Sequence, residues 1–117
     1  MNFKQVEDIK AWQQSMELAV DVFEAFRLCR DWSFNDQIRR ASVSVSSNIT
    51  EGFERDSNKE FVRFLFIAKG SCSEVRSLLC LALRFKYINE ATHKVIYERS
   101  NYIIRMLSKL IFHLRPP

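Results

Sequence analysis

Breakers are nearly missing from this 117-residue chain. It holds two glycines, Gly52 and Gly70, and two prolines, Pro116 and Pro117, which are its last two residues. No proline therefore interrupts an interior helix, and two separated glycines cannot build a Gly-rich phosphate loop. Histidine is equally sparse. Carboxylate-bridged metal bundles use Glu-x-x-His on two helices, and Glu90 to His93 supplies one such motif, but Leu110 stands three residues before His113. The three cysteines, Cys29, Cys72 and Cys80, are odd in number and never in CxxC spacing. That excludes the usual zinc and dithiol motifs and reads as free, mostly buried thiols in a reducing cytoplasm. No uncharged apolar run reaches the roughly 18 residues of a membrane span. The longest, Tyr102 to Leu114, is interrupted by Arg105, Lys109 and His113. The start, MNFKQVEDIK, brings acidic residues at once and no apolar core of a leader follows, so a cytoplasmic protein is expected. Glu51, Glu54 and Asp56 cluster with no nucleophile or base to pair with. The expectation is a protein that is not an enzyme, with no cofactor, metal or small-molecule substrate.

What is present is helical periodicity. Apolar residues make up 47% of the chain and charged residues 27%, a composition of one globular domain. Ile9, Trp12, Met16, Ala19, Phe23 and Phe26 step by threes and fours and predict a first helix, with Asp8 as its cap. Phe34, Ile38, Ala41, Val45, Asn48 and Gly52 predict a second, capped by Ser33 or Asn35. Its run Ser42 to Ser46 also alternates like a strand, but the stripe continues on both sides and favours the helix. Ser57-Asn58-Lys59-Glu60 reads as a capping box opening a third helix, on which Phe61, Leu65, Ala68, Cys72, Val75, Leu79 and Ala82 form one stripe and Phe64, Leu78 and Phe85 a second. Asn89 caps a fourth, with Ile96, Ile103, Leu107, Leu110 and Leu114 inward. The helices are expected near residues 9–29, 34–55, 58–86 and 90–115. Short connections make neighbours antiparallel, so the fold class is all-α: an up-down-up-down four-helix bundle in a single domain.

Two features exceed what one bundle needs. Phe61, Phe64, Leu65, Phe66, Ile67 and Ala68 nearly surround the start of the third helix, and Trp32, Phe53, Tyr87, Tyr97 and Phe112 are hard to place in one core. Surplus aromatic surface points to a partner, of which a second copy of the chain is the simplest; scattered, partly exposed side chains are the alternative. Charge is also uneven. Residues 1–56 hold seven basic and ten acidic side chains, residues 57–117 eleven and four, so a net −3 half meets a net +7 half. Lys59, Arg63, Lys69, Arg76, Arg84 and Lys86 on the third helix, and Lys94, Arg99, Arg105, Lys109 and Arg115 on the fourth, carry the positive field. Such a field suits RNA or DNA; a solvated face with ion pairs such as Glu60 with Arg63 or Glu98 with Arg105 is the alternative. No aromatic RNA-recognition motif, KH loop or helix-turn-helix pattern supports sequence-specific base reading.

The stretch from Gln37 to Phe53, QIRRASVSVSSNITEGF, resembles the signature of four-helix-bundle proteins encoded in intervening sequences of bacterial 23S ribosomal RNA genes, in which it reads Q-x-R-R-A-x-x-S-I-x-x-N-I-A-E-G. Ala11 to Leu18 and Glu60 to Ser71 match two further blocks in order and spacing. Thr50 stands where Ala is usual and Val45 where Ile is usual. The likeness implies antiparallel four-helix bundles assembling as homopentameric rings, without known enzymatic activity or cofactor. It also implies a relation to the accessory variability proteins of diversity-generating retroelements, basic pentamers that bind nucleic acid and a reverse transcriptase. Within the matched blocks Arg39, Arg40, Asn48, Glu51 and Gly52 are expected to form a polar network at a helix or subunit contact, with Trp12, Phe64 and Phe66 as further interface residues. Arg63 and Lys69 are expected among the polyanion contacts, with Arg76, Arg84, Lys86, Arg99, Arg105 and Lys109.

Overall fold

The computed structural model describes residues 3–115. A short 3-10 turn, Val6–Asp8, leads into four helices: α1 (Lys10–Ala25), α2 (Trp32–Phe53), α3 (Asn58–Arg84) and α4 (Glu90–Leu114). They form a rod of 45 × 21 × 19 Å. Sequential helices pack on one another and α1 closes onto α4, consistent with an up-down bundle.

The helix ends are set by capping chemistry, and three differ from expectation. Asp8 does not cap α1; its carboxylate accepts the Gln5 N–H at 3.2 Å inside the 3-10 turn, and Ile9 holds the cap position without a side-chain bond. Helix α1 stops at Ala25 rather than Cys29, because Asn35 reaches across from α2 and donates to the carbonyls of Phe26 and Cys29 at 2.9 and 3.1 Å. Those carbonyls lie at and just beyond the α1 C-terminus, where the helix supplies no donor and the Phe26 carbonyl otherwise accepts only the turn N–H of Cys29 at 3.1 Å. Asn35 is thus a tie for α1 rather than a cap for α2. The α2 cap is Asp31, whose Oδ1 accepts from the Phe34 N–H at 3.1 Å. Half of the expected capping box forms on α3. Ser57 Oγ accepts the Glu60 N–H at 3.2 Å, but the Glu60 carboxylate turns away to Arg63. Asn89 caps α4 as expected, through the Thr92 N–H at 2.8 Å.

At the end of α3, Lys86 takes a left-handed φ of 64°. The Tyr87 N–H donates to Ala82 O at 2.9 Å and the Lys86 N–H to Leu83 O at 3.1 Å, which together make a Schellman motif with lysine where glycine is usual. Tyr87 then donates its hydroxyl to Asp31 Oδ2 at 2.6 Å, tying the α3–α4 turn to the α1–α2 turn at one end of the rod.

The core follows the main predicted stripes of α2, α3 and α4, except that Phe85 is exposed and Ile49, not the half-buried Asn48, continues the α2 stripe. Ile38, Val45, Leu65, Cys72, Val75, Leu79, Ile103 and Leu107 are fully buried. Burial pushes the Cys72 thiol up to about 12, so that sulfur is an inert core atom. The α1 stripe is rotated relative to expectation. Ala11, Ser15, Leu18 and Val22 face the core, while Met16 and Phe23 sit at its edge and are exposed. Periodicity alone did not choose between the two adjacent stripes, because both are apolar and both step by threes and fours. Ser15 is tolerated inside because its hydroxyl donates to Ala11 O at 2.6 Å.

Helices α2 and α3 approach closely at Gly52. A Cβ there would lie 2.7 Å from Phe64 Cβ and 3.2 Å from Phe61 O, so α2 and α3 meet at a separation only glycine permits.

Candidate nucleic-acid interface

The basic side chains expected to meet a polyanion divide into those committed inside the molecule and those free. Arg99 is committed: its Nε donates to Asp21 Oδ2 at 2.9 Å, its Nη1 bonds Gln14, and both it and Asp21 are largely covered. It clamps α4 to α1. Arg76 donates to Asn101 Oδ1 at 2.8 Å and joins α3 to α4. Arg63 lies over the Phe64 ring at 4.5 Å and holds Glu60 through two bonds of 3.1 and 3.2 Å. The Arg63 bond keeps the Glu60 carboxyl below its ordinary range. Arg84, Lys86, Arg105 and Lys109 are exposed and Lys69 is half-buried along α3 and α4. Arg105 lies 5.9 Å over Tyr102. No bond joins Glu98 to Arg105 among the described residues.

The residues expected to form one polar network are instead spread around α2. Arg39 lies 4.6 Å above the Phe23 ring, Arg40 pairs with Asp36 at 2.8 Å, and Glu51 pairs with Arg55 at 2.6 Å. Asn48 donates to Ser44 O and Oγ at 2.8 and 2.9 Å, and Ser44 meets Ser71 at 3.0 Å, a polar seam between α2 and α3. Trp12 donates its indole N–H to Thr50 Oγ1 at 3.0 Å. Phe64 is buried under Arg55 and Arg63, whereas Phe66 is exposed with Arg115 4.9 Å above it.

Apolar surface remains on two sides of the rod. Met16, Val20 and Phe23 of α1 and Val43 of α2 are exposed, and a groove of about 490 Å³ between these helices is lined by Ala19, Val20, Phe23 and Arg39. On α3, Phe66, Ile67 and Leu81 are exposed. Trp32 and Phe112, at 71% and 76%, are the aromatic side chains most open to solvent. Phe53, Tyr87 and Tyr97 are half-buried: Phe53 packs on Phe61, Tyr87 on Phe34, and Tyr97 stacks on His93.

Sequence reasoning missed a site at the end where α3 begins and α4 stops. There Asn58, Lys59, Val62, His113, Leu114 and Arg115 line an open groove of about 700 Å³. Lys59 and Arg115 stood out only as members of a basic set. Their convergence with His113 depends on the antiparallel packing of α3 and α4 and has no local signal.

Comparison with known proteins agrees with the resemblance seen in the sequence. The family model for the 23S rRNA-intervening sequence protein matches residues 7–109. The chain belongs to that family. A crystal structure at 1.70 Å of a protein of unknown function from the S23 ribosomal protein family of Bacteroides thetaiotaomicron superposes on it with a TM-score of 0.80. The two are 27% identical, over 86% of this chain and 97% of that one. No curated protein matches the chain. No described helix of this family member is long and apolar enough to cross a membrane.

Proposed function

We propose that this member of the intervening-sequence family is a non-enzymatic, self-associating scaffold that binds nucleic acid. The observation that carries it is the charge division: a net +7 over residues 57–117, with Arg84, Lys86, Arg105 and Lys109 exposed on α3, α4 and the turn between them. Such a surface attracts phosphate backbones without reading sequence, and repeating it around a symmetric assembly multiplies the local potential. Self-association is supported by the uncovered apolar residues Met16, Val20, Phe23 and Val43 on α1–α2 and by the exposed pair Phe66 and Ile67 on α3, because clustered apolar side chains are stabilised by a second surface. The finer form of the reading is a cytoplasmic homopentameric ring acting as accessory subunit to a reverse transcriptase. It rests on the resemblance to accessory variability proteins.

Two measurements test it. Light scattering is expected to return the mass of several protomers, five in the finer form, and a monomer at micromolar concentration removes the scaffold reading. Labelled RNA or DNA is expected to bind with an affinity that falls roughly 10- to 100-fold between about 50 and 200 mM salt, the loss for a few phosphate contacts. Binding that ignores salt, or no binding at low salt, sinks the nucleic-acid part and leaves a protein-interaction oligomer, which the same apolar residues support.

A further inference from the structure

We infer that the groove between the start of α3 and the end of α4 takes one or two nucleotides of a single-stranded nucleic acid, with phosphate held by Lys59, His113 and Arg115 and a base stacked on Phe112. This rests on the nucleic-acid reading above and says where the strand sits and which form it takes.

Four observations converge on the site. The cavity, about 700 Å³, is of nucleotide size and open on one side. Three of its six lining side chains are cationic or become so on protonation, and none is acidic. Among the described residues, Glu60 on the same turn is already held by Arg63, and Asp56 lines the neighbouring cleft with Arg55. The α3 N-terminus adds donors, because Ser57 satisfies the Glu60 N–H and leaves those of Asn58 and Lys59 with no partner among the described residues. The carbonyl end of α4 lies alongside and opposes that field, but the Arg115 cation at its C-cap offsets it. Beside the groove Phe112 is 76% exposed, with its ring nearly perpendicular to that of His113 at 5.7 Å between centroids. An exposed phenyl ring next to a basic groove of nucleotide size is the arrangement that takes unpaired bases, since only a single strand offers a free base face beside its phosphate.

The test uses fluorescence anisotropy with the full chain, a labelled oligo-dT of roughly 12 nucleotides and a duplex of the same length. Wild type is expected to prefer the single strand. Phe112→Ala is expected to weaken it about 5- to 100-fold, the range for one lost base stack, and the double variant Lys59→Ala/Arg115→Ala by at least about 10-fold with a shallower salt dependence. Arg30→Ala, on the turn at the opposite end of the rod, serves as the control and is expected to bind as wild type. All four side chains are exposed, so circular dichroism melts are expected to match. Groove variants that bind the single strand as tightly as wild type overturn the inference while leaving the nucleic-acid reading intact. So does equal affinity for duplex. A Phe112→Ala variant that changes only the oligomeric mass overturns it too and assigns Phe112 to a contact between copies. Wild type that binds neither probe at low salt removes both readings.

Discussion

Gly52 and Lys86 are opposite cases of one backbone rule. Gly52 stands where a side chain does not fit, so Gly52→Ala must push α2 from α3 against the Phe64 Cβ. A destabilisation of about 1–3 kcal/mol is expected by urea titration, the usual range for overpacking. Lys86 stands where glycine fits better. Its left-handed φ crowds the lysine Cβ, so Lys86→Gly is expected to raise stability by about 1 kcal/mol with the Schellman bonds retained. Thr50 is a further residue with a local reason. Where the resembling signature has Ala, its hydroxyl accepts the Trp12 indole N–H and donates to Ser46 O at 3.0 Å. The polar handle of a half-buried tryptophan is satisfied there.

The Asp31–Tyr87 bond belongs to the element scale, since it joins two turns. The Tyr87 hydroxyl, and secondarily the Phe34 N–H, hold the Asp31 carboxyl below its ordinary range, and Asp31 in turn raises the Tyr87 phenol. The lowered carboxyl contributes above the ordinary aspartate value of about 4, and that contribution is lost as pH falls through the folded value. The raised phenol contributes below about 10, and that is lost as pH rises through its folded value. The melting-temperature gap between wild type and Tyr87→Phe is therefore expected to be widest between these limits and to narrow beyond each, in calorimetry across pH. Arg99 and Asp21 are the corresponding tie between α1 and α4. A double-mutant cycle with Arg99→Met and Asp21→Asn is expected to give a coupling of about 1 kcal/mol, at the upper end for pairs still touched by solvent. Much of this level was legible in the sequence. The cap at Asn89, the main stripes of α2, α3 and α4 and the helical reading of Ser42 to Ser46 follow from local spacing, because in each of these helices one apolar stripe runs nearly the whole length. Helix α1 presents two, and its register was decided by packing against α2 and α4. The Asp31 cap was hidden because Ser33 and Asn35 are equally good capping residues close by, and only the tertiary demand of the Phe26 and Cys29 carbonyls draws Asn35 away.

At the scale of the whole molecule, the sequence showed that charge is divided and did not show where the free part lies. Arg76 and Arg99 look like their neighbours in the sequence, yet both are spent on helix–helix bonds, and the distinction exists only once α1, α3 and α4 are side by side. The terminal groove is invisible for the same reason, as Lys59 and Arg115 approach only through the antiparallel pairing of two long helices. Replacing Arg105 and Lys109 with glutamine removes only the exposed Arg105–Tyr102 contact and is expected to leave the melting temperature within about 4 °C, as for most surface changes. The same variant is expected to lose affinity for RNA and DNA alike, read by anisotropy at low salt.

The rod has two unlike ends. One is closed by the Asp31–Tyr87 bond, and the other carries the basic groove and Phe112. Rotation about a single axis maps each copy's end onto the same end of the next, so a cyclic ring of these chains has a front and a back. With the rods standing along that axis, all grooves would crowd one rim, and a strand crossing it would meet several weak sites at high effective concentration. A ring built this way would grip a flexible strand many-fold more tightly than one chain does, and from one side only.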